Sequence, residues 1–227
     1  MKTSQGEGPK SSALWNEGKR QDGSCYRVIV ILDDTSAVAS SLFAHSFIRS
    51  LDAAVQDGDE GSRCSKVKSV LKDAIEENPG FLPPEFLETS EGGYSRHLFH
   101  RDPAGRYSVV IMVWDRGQGT PLHDHSGMWC VEGVYQGKIQ VISYACDGEK
   151  GEDSGLFRFH EAEKVFAGVG EAGALIPPYD YHSISNPDPS PAVTIHVYGG
   201  EMERCNMFLP EGEGCFRRQE QVLAYTP

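Results

Sequence analysis

His123 and His125, separated by one residue in Gly117-Gln-Gly-Thr-Pro-Leu-His-Asp-His-Ser-Gly-Met-Trp-Cys130, are the side chains in this sequence best placed to do chemistry. On a β-strand, residues i and i+2 face the same side, so both imidazoles would enter one cavity while Asp124 turns away. Two imidazoles on one wall call for a third ligand from a distant segment. His182, in His182-Ser-Ile-Ser-Asn186, is the candidate, because it lies in an apolar, β-rich stretch with prolines just before it. Gly117, Cys130 and Gly137 frame the histidine pair and make the pattern more specific than a lone His-x-His. Imidazole suits iron, copper, zinc and nickel, so ligand type alone leaves the metal open.

The elements that must carry these residues follow from the apolar pattern. Residues 1–25 are rich in Gly, Ser, Lys, Glu and Gln, and ordering them is not repaid by burial, so they are expected to form a loose tail. Residues 26–227 are expected to form a single domain, helical over 26–93 and β-rich over 94–227. Phe43, Phe47, Leu51 and Val55 recur every four residues, and Val67, Val70, Leu71, Ala74 and Ile75 repeat the one-faced helical pattern. Two amphipathic helices are predicted, joined by the polar run Asp57-Gly-Asp-Glu-Gly-Ser62 and stopped at Asn78-Pro-Gly. After Gly93, short apolar runs at Tyr107–Trp114, Trp129–Tyr135, Lys138–Tyr144, Ala174–Ile176 and Ala192–Tyr198 alternate with turn residues. That spacing predicts a mainly β sandwich or small barrel with the two helices packed on one side.

Composition removes several classes of function. With 33 acidic and 21 basic residues, the formal charge of −12 offers no footprint for nucleic acid or an anionic membrane. No run approaches the roughly 18 apolar residues of a membrane span, and the first residues lack a secretory signal's apolar segment, so a cytoplasmic protein is expected. The six cysteines, Cys25, Cys64, Cys130, Cys146, Cys205 and Cys215, lack Cys-x-x-Cys pairs and read as reduced thiols.

The site pattern resembles the two motifs of the cupin family. Gly117, His123, His125 and Gly137 match the first, and Pro177, His182 and Asn186 the second; Tyr179 stands where the second motif has glycine. Cys130 stands where most cupins carry a ligating glutamate, which narrows the resemblance to cysteine dioxygenases. Thr194-Ile-His-Val-Tyr198 resembles that family's hydroxyl, histidine and tyrosine series, and Tyr94-Ser-Arg96 its substrate-carboxylate clamp. The resemblance implies a cupin fold, a jelly-roll-like small β-barrel, and Fe(II) held by His123, His125 and His182. It further implies that Arg96 and Tyr94 bind the substrate and that His196 orients Tyr198. Cys130 would form a thioether with Tyr198. The implied reaction joins a small-molecule thiol, L-cysteine, with dioxygen to give cysteine sulfinic acid, in a monomer. A planar guanidinium can hold a carboxylate through two charge-assisted bonds, as lysine cannot.

Two other readings compete. The Thr120–His125 stretch with a nearby tryptophan resembles bacterial 3-mercaptopropionate dioxygenases, although those tend to carry glutamine and glycine where this chain has Arg96 and Cys130. A non-catalytic cupin binding a small ligand or metal is the reading from another class. Glu132 is expected to be a solvated or barrel-wall acid, Cys205 to pack, and His97, His100 and His160 to have no ligand role.

Overall fold

The computed structural model describes residues 14–19, 25–30, 35–150 and 154–226, with side chains from residue 41 onward. The described strands are β1 (Leu14–Lys19), β2 (Cys25–Val30), β3 (Ser95–Arg101), β4 (Ser108–Trp114), β5 (Leu122–His123), β6 (Cys130–Gln136) and β7 (Lys138–Glu149). They continue with β8 (Leu156–Gly168), β9 (Ala172–Leu175), β10 (His182–Ser185), β11 (Ala192–Tyr198), β12 (Arg204–Gly212) and β13 (Cys215–Val222). Two α-helices, α1 (Thr35–Ala54) and α2 (Glu60–Glu77), precede β3. The tail expected over residues 1–25 lies largely outside the described residues; its described part, β1, pairs antiparallel with β2.

Strands β10, β5, β12, β13, β8 and β7 close into a barrel in that order, and β3, β4, β11, β6 and β9 form a five-stranded sheet. Every residue of β4 and of β11 is buried, which is why Ser-Val-Val-Ile-Met-Val-Trp and Ala-Val-Thr-Ile-His-Val-Tyr show so little polar alternation. The two-residue period sorts their side chains. Val109, Ile111 and Val113 of β4 and Val193, Ile195 and Val197 of β11 join Leu51, Val67, Leu71 and Ile75 of the helices in one core. Val110, Met112, Trp114, Ala192 and Tyr198 face the opposite way and pack with Ile139, Val141 and Ile184 from the barrel strands. The helices therefore cover the outer face of the sheet and leave its inner face for the site.

Helix α2 begins where Asp59 accepts a hydrogen bond from the Ser62 amide at 2.8 Å, a side-chain cap within the expected polar linker. It ends at Asn78, as the Asn-Pro-Gly sequence predicts. Gly133 on β6 faces Leu71 and Ile75, so its lack of a side chain lets α2 sit close to the sheet. Truncating Leu71, which is wholly buried in this interface, should destabilise the protein by about 2–5 kcal/mol in denaturant unfolding.

The residues flanking the histidines have structural explanations. Gly137 turns β6 into β7 at φ 76°, and an added Cβ would lie 3.0 Å from the Ala192 Cα, so both conformation and space require glycine. Asn186 is buried and ties β10 to the end of β4 by donating from Nδ2 to the Trp114 carbonyl at 3.0 Å and to the Ser190 carbonyl at 2.9 Å. Tyr179, in place of a motif glycine, sits exposed in a turn that needs no left-handed residue.

Candidate metal centre

The three predicted ligands converge. One ligand atom from each of His123, His125 and His182 lies within 4.8 Å of the others, and all three side chains are buried. His123 closes β5, and His182 opens β10 directly opposite it in the antiparallel register. The expectation of one strand carrying both His123 and His125 needs correction: β5 stops at His123, and the chain then turns through Ser126 and Gly127, both at positive φ. His125 reaches the same cavity because Asp180 holds it there.

Hydrogen bonding selects the nitrogen that each ring offers. His123 Nδ1 donates to the Pro121 carbonyl at 3.1 Å, and His182 Nδ1 donates to the Asp180 carbonyl at 3.2 Å. His125 Nδ1 donates to the Asp180 carboxylate at 3.2 Å, which also accepts from the His125 amide at 3.0 Å. Because these partners accept and do not donate, the protons reside on Nδ1 and every Nε2 lone pair is free. Burial pushes His123 down to about 4 and His182 well below the usual histidine range, with further lowering from the neighbouring imidazoles. Three neutral imidazoles with free Nε2 atoms suit a divalent transition metal.

Asp180 is the functional residue that sequence reasoning missed. Burial works to raise its pKa, but the hydrogen bonds from His125 outweigh that and hold it below the ordinary aspartate value. Asp124, expected to turn away from the imidazoles, accepts from the Asn206 amide at 2.9 Å and from Asn206 Nδ2 at 2.8 Å, fixing the loop to β12. Replacing Asp180 with alanine should lower divalent-metal affinity roughly 10–100-fold, as loss of a ligand's hydrogen-bond partner does elsewhere. Calorimetric titration of the variant checks this.

Tyr94, Arg96, His196 and Tyr198 line the same cavity as the three histidines, whereas Cys130 lies outside its lining. Arg96 is buried and donates from Nη1 to the Ala224 carbonyl at 3.0 Å, while its Nε and Nη2 have no partner. Tyr94 stacks on Trp114 with centroids 4.6 Å apart. Cys130 and Tyr198 are directly opposite in the β6–β11 register, and both are buried. Burial raises both of their pKa values well above the ordinary ones, so each is protonated. His196 lies parallel to Tyr198, with centroids 5.9 Å apart, and its Nε2 is 2.7 Å from Thr194 Oγ1. Cys205 borders the cavity, as does Trp114, whose Nε1 donates to Thr194 Oγ1 at 2.8 Å.

Of the two alternatives expected for Glu132, solvated or on the barrel wall, the structure shows the second: it is buried on β6. Being two residues from Cys130 on β6, it points into the barrel, where burial raises its carboxyl to about 7. Of the histidines expected to be without a ligand role, His160 is exposed and pairs with Asp147 at 3.1 Å.

A barrel enclosing three buried imidazoles defines a three-histidine member of the cupin class. The family described as Cysteine dioxygenase type I matches residues 71–210, and the chain belongs to that family. Cysteine dioxygenase type 1 of Bos taurus is 22% identical over 144 residues, covering 63% of this chain and 68% of the relative. The Homo sapiens protein of the same name is 23% identical over 116 residues, covering 51% of this chain and 55% of the relative. The Rattus norvegicus protein is 23% identical over 152 residues, covering 66% and 72%. Among solved structures, a double-stranded β-helix protein from Klebsiella pneumoniae is 17% identical with a TM-score of 0.39, covering 52% of this chain and 80% of that one. An RmlC-like cupin from Desulfovibrio desulfuricans is 14% identical with a TM-score of 0.37, covering 50% and 88%.

No described helix is long and apolar enough to cross a membrane. The cysteines whose side chains are described, Cys64, Cys130, Cys146, Cys205 and Cys215, are free, in line with reduced thiols.

Proposed function

We propose that this chain is an iron-dependent dioxygenase of small thiols, with L-cysteine as substrate and cysteine sulfinic acid as product. The observation that carries the reading is the meeting of two complementary sites in one buried cavity. Three free Nε2 atoms face it from one side and a half-unpartnered guanidinium from the other. His123, His125 and His182 would hold Fe(II), which supplies a cation that favours the thiolate and a place where sulfur and dioxygen meet.

The protein's own residues do the rest. Arg96 Nε and Nη2, unpartnered and buried, would take the two oxygens of a substrate carboxylate. The Ala224 carbonyl bond keeps Nη1 turned away from that task, so the free edge of the fork faces the cavity. Tyr198, a neutral phenol, would donate a hydrogen bond toward the reacting oxygens, positioned with His196 beside it. The apolar walls formed by Met112, Ile184, Met202 and Leu223 exclude water and strengthen each of these bonds.

The opposed positions of Cys130 and Tyr198 support a thioether between them, formed with loss of two hydrogens to dioxygen as oxidant. Intact-mass measurement after incubation with iron and cysteine checks it. Cys130→Ser should retain partial activity, because the link holds a ring that packing already orients. Turnover of L-cysteine and 3-mercaptopropionate, compared in one assay, tests the substrate. A clear preference for the latter would overturn the cysteine assignment while leaving the thiol chemistry intact.

A further inference from the structure

Glu132 takes no part in the chemistry above, yet its placement demands a partner. Its side chain is 7% exposed, and its Oε2 has no hydrogen-bond partner within the barrel. That oxygen lies 3.9 Å from His182 Nε2 and 3.5 Å from His196 Nδ1. Following the protons tells what these two approaches are.

Trp114 Nε1 only donates, and it gives its hydrogen to Thr194 Oγ1 at 2.8 Å. Thr194 Oγ1 lies 2.7 Å from His196 Nε2, which fixes that edge of the ring. His196 Nδ1 is then the ring atom nearest Glu132, although 3.5 Å is too long for a strong bond. On the other side, His182 has committed its Nδ1 proton to the Asp180 carbonyl, leaving a bare Nε2 lone pair. The bare His182 Nε2 and the unpartnered Glu132 Oε2 thus face each other in a buried place, where leaving either group unsatisfied is costly. A cation held by His182 would satisfy both.

We infer that Glu132 is the buried counter-charge of the metal centre: a positioning residue outside the three-imidazole ligand set that offsets part of the cation's charge. The carboxylate that the first cupin motif places at the position of Cys130 is here two residues further along, on the same face of β6, beside the ligands. This inference rests on the metal-site reading proposed above.

Cobalt(II) is a suitable probe, since its visible absorption reports binding without any turnover. Full-length wild type, Glu132→Gln and Glu132→Leu are titrated with Co(II), and the metal-free proteins are melted in parallel. Glu132→Gln should bind Co(II) about 10–100-fold more weakly. Its metal-free form should melt at the same or a higher temperature, because an uncompensated buried charge has gone. Glu132→Leu, which removes the acceptor as well, should follow with the same two signs. A residue that merely packs would not divide the readouts in this way. Unchanged Co(II) affinity in both variants would overturn the inference, as would a fall in affinity matched by a fall in metal-free stability. If wild type itself fails to bind Co(II), the metal-site reading falls, an outcome the titration separates from the others.

Discussion

Replacing His182 with alanine should abolish both metal binding and turnover while leaving the fold in place. Its ring is one of three buried imidazoles whose Nε2 atoms converge, and the antiparallel pairing of β10 with β5 sets it opposite His123. Two ligands cannot hold a divalent ion against water as three do, so the loss should exceed the roughly 10–100-fold that outlying hydrogen-bond partners contribute. The metal-free variant should keep its stability, because the site brings three buried imidazoles together without any cation to reward the arrangement. Circular dichroism with calorimetric metal titration measures the two properties separately. Retained affinity in His182→Ala would mean that the ion, if bound, sits elsewhere.

Arg96→Leu should lower kcat/KM for L-cysteine by about 10²- to 10⁴-fold, on the basis of two charge-assisted hydrogen bonds of about 1.5–3 kcal/mol each. The variant should be little affected with cysteamine, which has no carboxylate for the guanidinium to hold. Arg96→Lys should not restore activity, because an ammonium cannot present the two parallel donors that Nε and Nη2 offer. Steady-state kinetics with both thiols read the difference. An equal loss with cysteine and cysteamine would remove Arg96 from carboxylate binding and assign it to packing.

The three histidines were legible from spacing, whereas Tyr94, Arg96, Cys130, His196 and Tyr198 were legible only through the family resemblance, and the parts that neither reached have physical reasons. Period-two alternation on a sheet buried on both faces sorts Thr194, His196 and Tyr198 from Val193, Ile195 and Val197, so β11 announced its functional face. Strands β8 and β13 went unread because most of their residues are exposed, and the polar and charged side chains among them hide the apolar alternation. Asp180 is two residues before His182, but the residue it orients, His125, lies 55 positions earlier, and only the fold brings the two together. For Glu132 the sequence left two alternatives, because an acid is ordinarily solvated, yet the strand period that sends Cys130 inward sends Glu132 with it to the barrel wall.

In the proposed function, three imidazoles and one guanidinium bring a thiol and dioxygen together in this barrel. Oxygen uptake by the Fe(II)-loaded protein with L-cysteine, run under ¹⁸O-labelled dioxygen with mass analysis of the product, tests it most directly. The expected result is sulfinic acid carrying both labelled oxygen atoms, with uptake matching product and absent in His182→Ala. Iron bound by the wild type with no uptake on L-cysteine, 3-mercaptopropionate or cysteamine would contradict the account and leave a metal-binding cupin without this chemistry.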